Sequence, residues 1–212
     1  MKSLIIKIDN LIEEMSLLNH PFYVEWSAGK LSLDSLNGYS QEYYHLVKAV
    51  PSFVDSIMEH CPESIKEELV SLKNEEVEHI DPWIKFASEL GVAQNQIKSY
   101  SGLGKTRKAI EEISPLMTSF EGGAAAMYAL EQEVPKISST KIEGLKEFYG
   151  LSSDDALDYF KIHTEADIRH ADTWRKILEE TPIEKEEELF EIAKKSLMAH
   201  SMILDACYEE YC

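Results

Sequence analysis

The chain has 212 residues, with 21 Lys and Arg against 39 Asp and Glu, for a net charge of −18. That length suits one domain over residues 1–212 with a sizeable core, and the acidic balance argues against a nucleic-acid footprint or a polybasic membrane patch. Arginine occurs only at 107, 169 and 175, so bidentate phosphate clamps are scarce. Cys61, Cys207 and Cys212 are too few for a disulfide framework, and no run approaches the roughly 20 apolar residues of a spanning helix, which predicts a cytoplasmic protein.

Apolar residues recur at steps of three and four throughout, with no alternating strand pattern, so the fold class is all-α, a bundle of about seven to eight helices. The first helix is predicted over Leu4–Leu18, ending before Asn19-His20-Pro21. A short helical or irregular segment with Phe22, Tyr23 and Trp26 follows and stops at Gly29. Ser32 reads as the N-cap of a helix carrying Leu36, Tyr39, Tyr43 and Val47, interrupted by Pro51 and continuing to about His60.

From Pro62 to Leu90 a core stripe runs through Leu69, Leu72, Glu76, His79, Trp83 and Phe86. Gly91 to Gly104 is the loosest stretch, a short helix between turns. A helix over Pro115–Val134 carries Phe120, Ala124, Met127, Glu131 and Val134, closed by Pro135, and another spans Ser138–Tyr149 before Gly150. One helix over Asp154–Glu180 presents Ala156, Phe160, His163, Asp167, His170, Trp174 and Ile177 on one face, and Pro182 opens the last, which bears His200 and Cys207.

Polar residues therefore interrupt three apolar stripes. Glu76, His79, Glu131, His163, Asp167 and His170 face the core with no Lys or Arg on those stripes. An unpaired buried carboxylate costs several kcal/mol, and three together repel one another. Two divalent cations would balance them with about one charge to spare. Imidazole and carboxylate ligands without thiolate favour iron or manganese. Glu76-x-x-His79 and Asp167-x-x-His170 repeat the unit that dinuclear carboxylate proteins take from two facing helices. Glu75, four residues before His79, competes with Glu76 for the same role; the stripe favours Glu76. Such a centre suits dioxygen activation and needs an oxidisable group nearby. Tyr23, Tyr39, Tyr43, Tyr44 and Tyr128 fall on or beside inner faces, where the bland reading is a core tyrosine with a bonded hydroxyl. His200 fits a hydrogen-bonded core histidine.

The segments HPFYVEWSAGKL, GYSQEYYHLVKAVPSF, EEVEHIDPWIKF, ALEQEVPKI, KIEGLKEFYG and YFKIHTEADIRHADTW resemble, in order, those of the CADD-like family, within the heme-oxygenase-like group that also holds TenA and PqqC. The resemblance is weakest from Gly91 to Ser114 and after Glu180. It implies an oxygenase with two divalent metal ions, Fe or Fe with Mn, that uses O2 and a reductant to make 4-aminobenzoate for folate-type cofactors from one of its own tyrosines, once per chain. By motif, Tyr23 is then the sacrificial residue, Tyr43 a redox or positioning partner, and Lys141 the internal amine donor, although an exposed helical lysine is its default reading. Glu131, His163, Asp167 and His170 match the family's ligands. The interval before His79 is shorter than in the chlamydial pattern; aligning the Glu pair selects Glu75, whereas the helix stripe selects Glu76. Relatives commonly dimerise, so a homodimer is expected.

Three other readings compete. A dimetal oxidase acting on a free small molecule keeps the same ligands. A TenA-like thiamin-salvage hydrolase needs a nucleophilic thiol, for which only Cys207 lies on a stripe. An interaction protein has no use for six ionisable core residues.

Overall fold

A computed structural model describes residues 3–212. The expected all-α class is what the chain adopts: the described residues contain helices and turns but no strand. In chain order the helices are α1 (Ser3–Glu14), α2 (Pro21–Ser27), α3 (Leu33–Val47), α4 (Val50–Met58), α5 (Glu63–Glu89), α6 (Gln94–Ser99), α7 (Gly104–Ile113), α8 (Phe120–Glu131), α9 (Val134–Glu147), α10 (Asp154–His163), α11 (Ala166–Glu180) and α12 (Glu186–Tyr211). They exceed the expected number mainly because turns divide predicted helices.

The division that matters most falls inside Asp154–Glu180. The Thr164 N–H donates to Phe160 O at 3.1 Å and its hydroxyl donates to Lys161 O at 2.7 Å, which closes α10. Glu165, at φ −120°, leaves the helical region before α11 restarts. The stripe survives the break: its seven members from Ala156 to Ile177 are all buried. The break also puts His163 in the last turn of one helix and Asp167 in the first turn of the next, where the backbone dipoles favour a positive and a negative group respectively.

Other boundaries moved for local reasons. The first helix ends at Glu14, and a 3-10 turn over Leu17–Asn19 leads to His20, whose Nδ1 accepts from the Phe22 N–H at 3.1 Å and caps α2. Pro135 does not close a helix but sits in the first turn of α9, where its missing N–H costs nothing. Ser32 caps α3 as expected, accepting from Ser35 N–H at 2.9 Å. Gly104–Ile113 is a helix that the apolar spacing did not announce.

One continuous apolar core draws on helices from α1 to α12. α5 packs against α3, α4 and α10, while α8 packs against α4, α11 and α12. Small residues permit the close crossings: a Cβ at Gly123 would collide with Ile57, and one at Gly144 would strike the Trp26 indole. No helix among the described residues is long and apolar enough to cross a membrane.

Candidate metal centre and the lysine pocket beside it

Four helices carry the six predicted ligand residues into one part of the core. α5 contributes Glu76 and His79, α8 contributes Glu131, α10 contributes His163, and α11 contributes Asp167 and His170; none is more than 7% exposed. Ligand atoms of Glu76, His79 and His163 lie within 4.8 Å of one another, as do those of Glu76, Asp167 and His170. Glu76 belongs to both triplets and stands between them. His170 Nδ1 is 3.0 Å from Glu76 Oε1 and 3.6 Å from Asp167 Oδ1, and His79 Nδ1 is 3.6 Å from Glu76 Oε2.

Despite this proximity, the Nδ1 atoms of His79 and His170 are buried without a hydrogen-bond partner. Buried polar atoms are normally paired, so imidazole nitrogens that face a carboxylate without bonding to it suit a cation between them. The donor set agrees: imidazoles and carboxylates, with no thiolate, fit iron or manganese. These residues would hold metal, with Glu76 common to the two groups.

The electrostatics report the same crowding. Burial pushes the Glu76 carboxyl up, but the adjacent His170 and His79 imidazoles and the charge of His163 pull it below its ordinary range. Burial lowers His170, yet Asp167, Glu76 and Glu131 outweigh it and raise the imidazole to about 11. Glu131 is raised well above the usual carboxylate range, first by burial and then by Asp167 and Glu76, against the opposing pull of His170. It lies outside both triplets, accepting a hydrogen bond from Trp174 Nε1 at 2.7 Å.

Glu75 and Glu76 take different places. Consecutive helical positions differ by about 100°, so only one can follow the inward stripe. Glu75 lies at the rim with its side chain 30% exposed, accepting from Arg169 at 2.8 and 3.3 Å and lying 3.3 Å from His170 Nε2.

A cavity of about 50 Å3 adjoins the cluster, lined by Glu76, Glu131, His163 and Asp167 on one side and by Tyr43 and His200 on another. Tyr43 joins this cavity to a second polar group. Its hydroxyl is 2.9 Å from His200 Nε2, and its ring lies 5.3 Å from Tyr39 and 4.9 Å from the Lys141 ammonium nitrogen. Lys141 is buried, not exposed, because Gly144 one turn on lets Trp26 pack close against α9 and the rings of Tyr23, Tyr39, Tyr43 and Phe160 surround its Nζ at 4.9–5.3 Å. Its Nζ donates to the Tyr39 hydroxyl at 2.6 Å, and that hydroxyl is 3.3 Å from Tyr23's. Burial lowers the lysine to about 7, with Cys207 opposing the shift. Burial, then Tyr43, raises Tyr23, keeping its phenol protonated.

The comparisons with known proteins agree with this chemistry. Residues 37–202 match a family described as iron-containing redox enzymes. The chain belongs to that family. A 4-aminobenzoate synthase of Nitrosomonas europaea is 30% identical to this redox enzyme, over 97% of its chain and 91% of the relative's. Another, from Chlamydia trachomatis serovar D, is 33% identical over 82% and 78%. A crystal structure from Shewanella denitrificans, of a domain of unknown function with a heme oxygenase-like fold, superposes with a TM-score of 0.83 at 19% identity, over 98% of this chain and 91% of that one, which shows the shared fold.

Two contributors to the site of this redox enzyme carry no role in the sequence pattern, and a third has a partner that the pattern does not name. Tyr39 links Tyr23 to Lys141; the sequence marks it only as an inner-face tyrosine, although its spacing of four from Tyr43 puts both on one side of α3. Tyr159 stacks on His163 at 4.0 Å, and its carbonyl is 2.6 Å from His163 Nδ1, which leaves Nε2 for the site. His200 is the hydrogen-bonded core histidine expected, but its partner is Tyr43.

Proposed function

We propose that this protein is a dinuclear, O2-using oxygenase that makes 4-aminobenzoate from its own Tyr23, with Lys141 as the source of nitrogen, once per chain. The observation that carries the reading is Glu76 shared between two buried ligand triplets, one cavity away from a tyrosine–lysine pocket. Relatives named 4-aminobenzoate synthase at 30 and 33% identity support the product.

Converting a tyrosine side chain to 4-aminobenzoate breaks Cα–Cβ, oxidises Cβ to a carboxylate at the expense of O2, and replaces the ring C–O bond with a C–N bond to Lys141, the phenol oxygen leaving as water. Two-electron oxidation and hydrolysis of the Lys141 Cε–Nζ bond, also at the expense of O2, then frees the aniline nitrogen and leaves an aldehyde at Cε. Two bound ions, Fe or Fe with Mn, supply the redox capacity for using O2, with a reductant to restore them. The chain's own residues do the rest. Glu76, His79, His163, Asp167 and His170 hold the ions, with Glu131 kept in position by Trp174. The Tyr159 carbonyl fixes the His163 ring. Tyr43 lies between the cavity and the Tyr23–Tyr39–Lys141 pocket, with His200 as its hydrogen-bond partner. Burial lowers Lys141 to about 7, so near neutral pH much of it is a free amine with a lone pair to give.

Cavity size favours self-modification over a free substrate. A cavity of about 50 Å3 admits O2 or water, whereas one that takes benzene measures about 150 Å3. The thiamin-type reading lacks its nucleophile: burial first, then Glu42, pushes the Cys207 thiol well above its ordinary range, so it stays protonated.

Elemental analysis after anaerobic loading with ferrous ions, alone and with manganous ions, tests the reading. The wild type should bind two ions per chain and His170→Ala fewer. Absence of bound metal in the wild type sinks it.

A further inference from the structure

Two rungs connect α5 and α11. The inner rung is Glu76 with His170; the outer one, shifted by one residue on each helix, is Glu75 with Arg169. His170 takes part in both. Its Nδ1 faces Glu76 and Asp167, and its Nε2 lies 3.3 Å from Glu75 Oε2. An ionised carboxylate only accepts, so Nε2 must carry the hydrogen. Arg169 grips Glu75 through both guanidinium nitrogens, at 2.8 and 3.3 Å, which fixes the carboxylate plane against the imidazole edge. The pair also covers His170 at the wall of a surface groove lined by Glu68, Asp172 and Lys176.

We propose that Glu75, gripped by Arg169, is a positioning residue outside the ligand set: it holds the Nε2–H of His170, so that the ring presents a bare Nδ1 to a divalent cation. The assignment rests on the reading of His170 as a ligand. It parallels His163, whose Nδ1 is taken by the Tyr159 carbonyl so that the opposite nitrogen serves the site. His170 sits at the edge of the core near that groove, where no backbone carbonyl occupies Nε2, and a clamped carboxylate fills the same role. Removing such outer partners typically weakens metal binding 10- to 100-fold without removing the ligand.

The test uses the full chain with Zn2+ as a diamagnetic probe, read by calorimetric titration and by nitrogen-15 spectra of the histidine rings. Wild type should bind two ions and show a slowly exchanging Nε2–H on His170. Glu75→Ala should still bind two ions at saturation, but one of them 10- to 100-fold more weakly and without that Nε2–H signal. Glu75→Gln, whose amide oxygen still accepts, should regain the signal and part of the affinity. Since Glu75 is at the rim, neither change removes packed core. If Glu75→Ala binds like wild type while His170→Ala loses an ion, the positioning role falls and the ligand reading stands. If Glu75→Ala loses an ion outright at saturation, as His170→Ala should, Glu75 is itself a ligand and the proposal is overturned. If wild type and His170→Ala bind alike, the ligand reading has failed and the positioning role falls with it.

Discussion

The carboxylate–histidine cluster and the lysine pocket are neighbours in one core, yet they meet the cost of buried charge in opposite ways. The cluster concentrates groups that pull on one another: Glu76 is driven down, His170 up to about 11 and Glu131 up. It leaves imidazole nitrogens without partners and calls for cations from outside. The pocket encloses a single amine among four aromatic rings, and burial brings that amine to about 7, so it can shed its charge instead of pairing it. Charge is imported at one site and discarded at the other. Tyr43 touches both.

That contrast breaks most sharply by mutation. Glu76→Ala should abolish binding of both ions and all product, because Glu76 is in both triplets. Lys141→Met should keep two ions per chain, measured by elemental analysis, and yield no 4-aminobenzoate on exposure to O2. A Lys141→Met protein that lost its metals would join what the account separates.

Metal removal should act on stability through the cluster alone. Each cation bound to the native state at about 100-fold over its dissociation constant adds about 2.7 kcal/mol, so two add about 5.4 kcal/mol. For a chain of this length that corresponds to a rise in Tm of roughly 11–22 °C. Thermal melts with and without chelator should differ by that amount in wild type and in Lys141→Met, and by almost nothing in Glu76→Ala.

The pocket should announce itself through pH. With Lys141 lowered from 10.5 to about 7, the unfolded chain binds a proton that the folded one lacks between those values. Stability from this group therefore rises with pH across that window, by at most about 1.4 kcal/mol per unit, and is flat below it. Urea denaturation at several values from pH 7 to 10 should show wild type gaining on Lys141→Met as pH increases; parallel profiles would mean that the amine stays charged.

The smallest effect sharpens the link between the regions. Tyr43→Phe removes the hydroxyl that meets His200 Nε2 and leaves a buried imidazole nitrogen unpaired, costing about 1–3 kcal/mol. Metal stoichiometry should stay at two while product yield falls.

Much of the fold and most of the cluster were legible in the sequence because burial imposes a rhythm on helices. Glu76, His79, Glu131, His163, Asp167 and His170 stand out as polar residues on apolar stripes, and the structure gathers them in one part of the core, with Glu131 lining the cavity outside both triplets. The break at Thr164–Glu165 was hidden because neither Gly nor Pro marks it; Thr164 closes the turn with its own hydroxyl. α7 was missed because its buried face consists of Thr106, Ala109 and Ile113, too little apolar bulk to signal. Lys141 was illegible for a different reason. α9 also carries Lys136, Glu143 and Lys146, so a lysine there reads as solvated. Only tertiary packing on Tyr23, Tyr39, Tyr43 and Phe160 makes it a core residue.

The most direct test is the intact mass and product yield of the protein loaded anaerobically with ferrous and manganous ions, then exposed to O2 and a reductant with no organic substrate added. The account predicts at most one 4-aminobenzoate per chain, a polypeptide that has lost the Tyr23 side chain and the Lys141 amine, and no product from Tyr23→Phe. Product in excess of the chains, or an equal yield from Tyr23→Phe, would contradict it.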